Sequence, residues 1–374
     1  MFRYLSKRIA MAILTLLIVI VFSYCLLAAF GKNPYEIQLA NILAGNPKSD
    51  DPALLRIKAE IKAYSEIPLI SKLFTYLGDL LKGNPGIVYG KIDGVDSFGK
   101  DVSKVFWEYF PNSLFVSLPA FIISSITGTT LGIVAGYKRG SIWDSIINAF
   151  VFFFIAVPSF IIAPIFIQIF TSAGFPTVYT PWVPNDNSGL YTFAKFFKSI
   201  IPPILVVSLS SMAVYTLYAR NQTVTVLTSN YILIAKTKGL SGMQIFWKYV
   251  LRNISIPLSA LILPSYIVLL SGSIIVEQFW GVKGTAQILS YAFPNAEINI
   301  VMFSIILFTG LTVFTDILVD VSFVILDPRI VYESSSGINY LHIFKAYFIR
   351  QKKLKEIYKQ QEQIPQVTDA QGEN

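Results

Sequence analysis

Six stretches of this chain are long and apolar enough to cross a bilayer, and that single feature decides what it can fold into. A hydrocarbon core about 30 Å thick takes roughly 20 apolar residues at 1.5 Å rise each. The stretches cover about residues 9–30, 112–136, 142–170, 200–218, 254–276 and 300–326, and the first five carry no charge in their middle. In lipid every backbone polar group must be satisfied within the segment or by a closed barrel, and runs of this length are helical. The chain therefore reads as an all-α integral membrane protein with six transmembrane helices. Only 14% of its residues are charged, against about 25% in soluble domains. The 29 Phe and 20 Tyr demand burial and exclude a disordered chain.

The formal charge of +8 is distributed as orientation signals rather than as a nucleic-acid-binding domain. Arg3, Lys7 and Arg8 precede the first run, which is longer than a signal-peptide core and reads as a retained anchor. Lys138 and Arg139 follow the second run. Arg220, Lys236, Lys238, Lys248 and Arg252 lie between the fourth and fifth with no acid among them. With the basic end inside, an even number of spans places both termini in the cytoplasm. The organisation follows: residues 1–30 hold the first span and 31–108 an extracytoplasmic subdomain with an amphipathic, helical stretch. Residues 109–332 form the core with a cytoplasmic loop at 220–252, and 333–374 a cytoplasmic tail that is basic and then polar. The lone Cys25 permits no intramolecular disulfide, and His342, the lone histidine, is far from any span. No catalytic dyad or Cys-rich metal site can be built from these, so no catalytic, cofactor-binding or metal-ligating residue is expected.

No G-x-x-x-x-G-K-[ST] loop is present, so the chain has no phosphate-cradling motif of that type. Transport would need an ion gradient or a borrowed ATPase. The acids near the membrane are Asp316 and Asp320 in the sixth run, four apart on one helical face, and Glu277 at the outer end of the fifth. The aspartates read as an ion-coupling pair or as hydrogen-bonding groups near the cytoplasmic end. Prolines 119, 158, 164, 202, 203, 257 and 264 fall inside the runs, where each removes a backbone donor and favours a bend. In the loop at 220–252, Asn230 is placed to cap a short helix, Tyr231 to Lys238, which Gly239 stops in a left-handed conformation. Ser241 opens a capping box, S-G-M-Q, at the start of a second helix. Tyr231, Ile232, Ile234 and Leu240 then form an apolar surface wanting a partner, or else lie on lipid headgroups.

The run NYILIAKTKGLSGMQIFWKYVLRNISIP resembles the coupling-loop signature of ABC-importer permeases of the oligopeptide and dipeptide family. Asn230 and Tyr231 stand where that family has Asp-Tyr. Ala235, Lys236, Lys238, Gly239, Leu240 and Ser241 follow its A-R-A-K-G-L-S pattern, with Lys236 for Arg and Thr237 for Ala. Arg252, Asn253 and Pro257 match its later R-N-x-x-x-P. Similar stretches are YLGDLLKGNPG, FPNSL, LGIVAGYKRGSIWDS, VPSF, VEQFWGVKGTAQIL and the ending in which Asp320, Asp327, Pro328 and Arg329 stand. Trp280 and Lys283 replace a usual Phe and Pro, Ala286 a Gly, and Glu297 stands near a customary Asp. Residues after Tyr332 fall outside the resemblance.

The resemblance implies a type I ABC importer permease fold with an extracytoplasmic insertion between helices 1 and 2, in a bacterial or archaeal cell membrane. It implies a second homologous permease subunit, two ATPase subunits that bind ATP and Mg, and an extracytoplasmic peptide-binding protein. Coupling residues would be Asn230, Tyr231, Ile232, Ile234, Ala235, Lys236, Lys238, Gly239, Leu240 and Ser241. Pro158, Ser159, Pro264, Ser271 and Ser273 are pathway candidates, and Glu277, Trp280 and Gly284 outer-gate candidates. Same-family nickel or glycoside import is the alternative cargo, and an ion-coupled secondary transporter using Asp316 and Asp320 the alternative mechanism.

Overall fold

The computed structural model describes residues 2–45, 51–92, 95–183, 188–190, 192–272, 274–326 and 344–354. Helix α1 (Phe2–Phe30) is the first span. Three shorter helices follow outside the apolar runs: α2 (Tyr35–Ala44), α3 (Pro52–Glu66) and α4 (Leu69–Leu81). Asp51 caps α3 by accepting from the Ala53 N–H at 2.9 Å, with Pro52 at the first helical position, where a missing N–H costs nothing. A two-stranded antiparallel ribbon, β1 (Lys91–Ile92) and β2 (Val95–Asp96), closes this insertion. It is the small exception to the all-α reading among the described residues.

The core consists of α5 (Val102–Tyr137), α6 (Ile142–Ala156), α7 (Ser159–Ser172), α8 (Phe193–Leu227), α9 (Asn230–Thr237) and α10 (Gly242–Ile245). A π-helical turn (Phe246–Val250) leads into α11 (Leu251–Gly272), followed by α12 (Ile274–Phe279), α13 (Thr285–Ala292) and α14 (Ile298–Leu326). Five helical segments are long and apolar enough to span, and α6 with α7 makes a sixth only as a bent pair at 106°. The third run is thus a broken span rather than the single one expected over 142–170. The break is at Pro158, which forces Val157 into an extended conformation (φ −91°, ψ 113°). The expectation that the other prolines also bend their helices is not met at the level of helix continuity. Pro119, Pro164, Pro202, Pro203, Pro257 and Pro264 all lie inside uninterrupted helices.

The two longest helices, α5 and α8, pack along their length through Gly128, Gly132 and Gly136. A Cβ on Gly132 would sit 2.5 Å from the Thr216 carbonyl oxygen and 2.8 Å from the Arg220 nitrogen. The absence of side chains lets two backbones meet, the usual route to tight helix contact where lipid supplies no hydrophobic drive.

Candidate functional site

The C-terminal end of α8 leads into a helix, turn and helix whose local geometry is over-determined. Gly239 has φ +75°, a conformation that disfavours any Cβ. Its N–H donates to the Lys236 carbonyl at 3.0 Å, and the Leu240 N–H to the Ala235 carbonyl at 3.2 Å. Together these form a Schellman ending that satisfies carbonyls the helix leaves open. Two residues on, the Gln244 N–H donates to Ser241 Oγ at 3.4 Å and the Ser241 N–H to Gln244 Oε1 at 2.9 Å, the reciprocal capping box.

Two details differ from the sequence reading. Asn230 is the first residue of α9 and not its cap; that position is Ser229, whose side chain caps nothing and instead donates to the Val226 carbonyl. Ile232 does not face outward. It is 1% exposed, and with Ala235 it packs against Ala219 and Val226 of α8 and Ile245, Val250 and Ile254, with Leu240 half-buried beside them. The outward face is Tyr231, Leu233 and Ile234 with Lys236 and Lys238. Leu233, 63% exposed, was not singled out by the sequence. An i, i+3 pairing of Ile232 with Ala235 as the inner stripe would have placed it outside.

The base of this unit is fixed by an ion pair. Arg220 on α8 donates from Nε to Asp144 Oδ1 at 2.6 Å and from Nη2 to Oδ2 at 2.8 Å. Asp144 is buried near the start of α6 and also accepts from the Gly140 N–H at 3.0 Å and Asn148 Nδ2 at 2.8 Å. Charge counting alone read Arg220 as an orientation signal. The bidentate geometry makes it the tie between the α5–α6 turn and the helix that carries α9.

At the outer end the three gate candidates do come together. Ser113 Oγ donates to Glu277 Oε1 at 2.8 Å, the Ala286 N–H to Glu277 Oε2 at 3.1 Å, and the Thr285 N–H to Ser113 Oγ at 2.7 Å. Gly284 lies against this cluster, where a Cβ would come within 2.3 Å of both Glu277 Oε2 and Ser113 Oγ. Trp280 is fully buried, and its carbonyl accepts from the Tyr179 N–H at 2.7 Å. Asn112 Nδ2 donates to the Lys283 carbonyl at 2.9 Å, and Tyr179 donates to Asn112 Oδ1 at 2.7 Å. The arrangement is a closed, fully hydrogen-bonded latch between the start of α5 and the α12–α13 turn, with FPNSL meeting VEQFWGVKGTAQIL. A second latch joins the insertion to α14. The Glu297 carboxylate, fully buried, accepts from the Tyr89 N–H at 2.9 and 3.1 Å, and Asn299 Nδ2 donates to the Ile87 carbonyl at 2.9 Å. Burial pushes the Glu297 carboxyl up to about 7, against the opposing pull of the Tyr89 and Gly90 amides.

The pathway candidates are less gathered. Pro158 and Ser159 stand at the α6–α7 break, and Pro264 lies within α11. Ser271 is in the last turn of α11 with its side chain outside the described residues, and Ser273 is outside them altogether, as are Asp327, Pro328 and Arg329. A feature the sequence reading missed is a set of hydroxyls shared between α5, α8 and α11. Tyr215 and Ser265 hydrogen-bond at 2.5 Å, with Ser124 beside Tyr215. Asp320 accepts from Arg8 Nε of α1 at 2.6 Å, while Asp316 one turn earlier is exposed. Among the described residues no three His, Cys, Asp or Glu side chains converge as metal ligands would.

Broken and continuous spans around a packed core, with a rigid helical unit presented on one face, define a multi-pass membrane protein of permease type. The profile of the family described as the binding-protein-dependent transport system inner membrane component matches residues 128–332, more than half of the chain, and the protein belongs to that family. It is 29% identical over 349 residues to the oligopeptide transport system permease protein OppB of Mycoplasma genitalium, covering 91% of this chain and 80% of the relative. The Haemophilus influenzae protein of the same name is 27% identical over 336 residues, with 89% and 100% covered. The Escherichia coli K12 protein is 25% identical over 334 residues, with 89% and 100% covered. The chain is a transporter subunit rather than an enzyme.

Proposed function

We propose that this chain forms half of an oligopeptide translocation pathway in an ATP-driven importer and passes the work of separate ATPase subunits to that pathway through α9. The observation that carries the reading is the outward face of α9, with Tyr231, Leu233 and Ile234 exposed while Ile232 and Ala235 anchor it from behind. An apolar, cation-flanked face held at a fixed angle fits a docking surface for a protein groove, and it lies in the stretch that carries the coupling signature. A helix clamped this way transmits displacement as a rigid body, in a two-state mechanism driven by differential contact in the two arrangements. ATP and Mg would be held by the ATPase subunits, and this chain would bind neither. A second homologous permease completes the pathway, and an extracytoplasmic binding protein delivers peptide. The basic loops support N- and C-termini in the cytoplasm. The relatives' names support peptide as the cargo over nickel or a glycoside. Asp320, paired with Arg8, supports a structural role for that acid rather than ion coupling.

The test is purification from the native membrane in mild detergent, followed by ATPase and labelled-peptide uptake assays in liposomes. The reading requires co-purification of a second permease and ATPase chains, and uptake that depends on ATP. Uptake by this chain alone on an ion gradient, lost in Asp316→Asn/Asp320→Asn, would overturn it.

A further inference from the structure

Beyond the family match, residues 344–354 form a helix that the transport reading does not use. Its sequence is FKAYFIRQKKL. Phe344, Tyr347, Phe348, Gln351 and Leu354 recur at i, i+3, i+4, i+7 and i+10, so they share one face at 3.6 residues per turn. Phe344, Tyr347 and Phe348 are 63%, 56% and 57% exposed and Leu354 45%. The three rings pack on one another, with centroids 4.9 Å apart for Phe344 and Phe348 and 5.8 Å for Tyr347 and Phe348. Lys345, Arg350, Lys352 and Lys353 share the remaining arc with Ala346 and the exposed Ile349, and no acid lies between 344 and 354. An aromatic and aliphatic face with cations on both shoulders is the composition of a helix that lies in a bilayer interface. There the rings enter the headgroup boundary and the Lys and Arg stems reach the anionic phosphates.

We propose that the 344–354 helix is a membrane-surface anchor that binds anionic phospholipid headgroups. Two observations select lipid over a protein groove. The helix follows the last span after only residues 327–343, which keeps it within reach of the bilayer surface. Its four cations are unrelieved by any acid, which matches a uniformly anionic surface and draws roughly additive attraction per Lys or Arg. The anchor would tie the end of α14 to the leaflet on its side of the membrane. The choice of the cytoplasmic leaflet rests on the orientation proposed above, but binding itself does not.

The test uses the full chain in liposomes with Cys25→Ser and one of two reporter sites. Gln351→Cys carries an environment-sensitive thiol probe in the middle of the apolar face, and Ala346→Cys carries it on the polar arc. In vesicles of phosphatidylcholine with phosphatidylglycerol, the probe at 351 should shift to the blue and lose most of its quenching by aqueous acrylamide. The probe at 346 should do neither. The response at 351 should shrink several-fold in pure phosphatidylcholine, in high salt, and in Lys345→Glu/Arg350→Glu/Lys352→Glu/Lys353→Glu. Equal quenching at 351 in anionic and neutral vesicles would overturn the proposal. So would shielding that arises only when the ATPase subunits are added, which would assign the face to a protein. Because both vesicle leaflets contain the anionic lipid, the outcome is independent of orientation, which an impermeant thiol reagent on cells reads separately.

Discussion

Asp144→Ala should be among the most damaging single changes at the α9 end of the molecule, and its size can be worked from the contacts. The carboxylate accepts from two guanidinium nitrogens, the Gly140 N–H and Asn148 Nδ2. Removing one partner of a fully buried ion pair costs about 3–5 kcal/mol, because the other charge is left uncompensated. The Asp144 side chain is 6% exposed but that of Arg220 is 21%, so water recovers part of the orphaned charge and about 2–3 kcal/mol is expected. Arg220→Met should cost somewhat less, because Asp144 keeps its bonds to Gly140 and Asn148. The double variant Asp144→Ala/Arg220→Met should be no worse than Asp144→Ala alone, giving a coupling energy of about 1–3 kcal/mol. Denaturing-detergent titration in mixed micelles, followed by circular dichroism, reads the cycle. Additive single effects would refute the claim that this pair ties the α5–α6 turn to α8. With the pair lost but the fold retained, ATP hydrolysis should continue while peptide-stimulated turnover drops.

Three further outcomes are expected. Gly239→Val places a β-branched residue at φ +75°, at a cost of about 1–3 kcal/mol; membrane levels should hold while uptake and coupled ATPase activity fall together. Gly132→Val drives a side chain into the Thr216 carbonyl and Arg220 nitrogen, an overpacking of about 1–3 kcal/mol or more, and should lower resistance to unfolding even with no partner present. Glu297 is raised to about 7 in the folded state from 4.5, so the proton is held more tightly folded than unfolded. Its contribution to stability is therefore full below about 4.5 and is lost as pH rises through about 7; Glu297→Gln should flatten that part of the stability–pH curve, measured by unfolding at each pH.

What the sequence makes legible and what it hides divide by range. Five of the six spans, the capping box at Ser241 and the stop at Gly239 are local, set by hydropathy and by residues within four positions, and appear where the residues place them; the third span is broken at Pro158. The orientation of α9 is not legible in the same way. Tyr231, Ile232, Leu233 and Ile234 are consecutive and apolar, so only the i, i+3 pairing of Ile232 with Ala235 points to a buried side; the surface of α8 selects it, by accepting Ile232. Arg220 and Asp144 are 76 positions apart, and nothing in either neighbourhood announces the other. The Ser113–Glu277 contact spans 164. The glycines at 128, 132 and 136 stand four apart, and that another helix presses against them is visible only in the structure.

For α9 to act as the coupling helix proposed above, displacement there has to reach the opposite end of the spans, and the fold supplies a continuous path for it. Helix α8 runs 35 residues, about 52 Å at 1.5 Å each, from the base of α9 to the outer side. Over part of that length Gly128, Gly132 and Gly136 of α5 are seated against the Met212 and Thr216 carbonyls and the first side-chain carbons of Tyr215, Ala219 and Thr223, with little between the two helices to absorb a shift. Close-packed backbones slide or move together; they do not compress. The outer end of α5 carries Asn112 and Ser113, which hold Lys283, Thr285 and Glu277. A tilt of α8 imposed through α9 therefore bears directly on the outer latch, and its bonds are few enough to exchange as a unit. On this reading Ser113→Ala should leave ATPase docking intact while changing how the outer end opens. Disulfide trapping between positions 112 and 283, which the latch holds together, should be slower in Ser113→Ala without ATP and unchanged if the latch and α8 move independently.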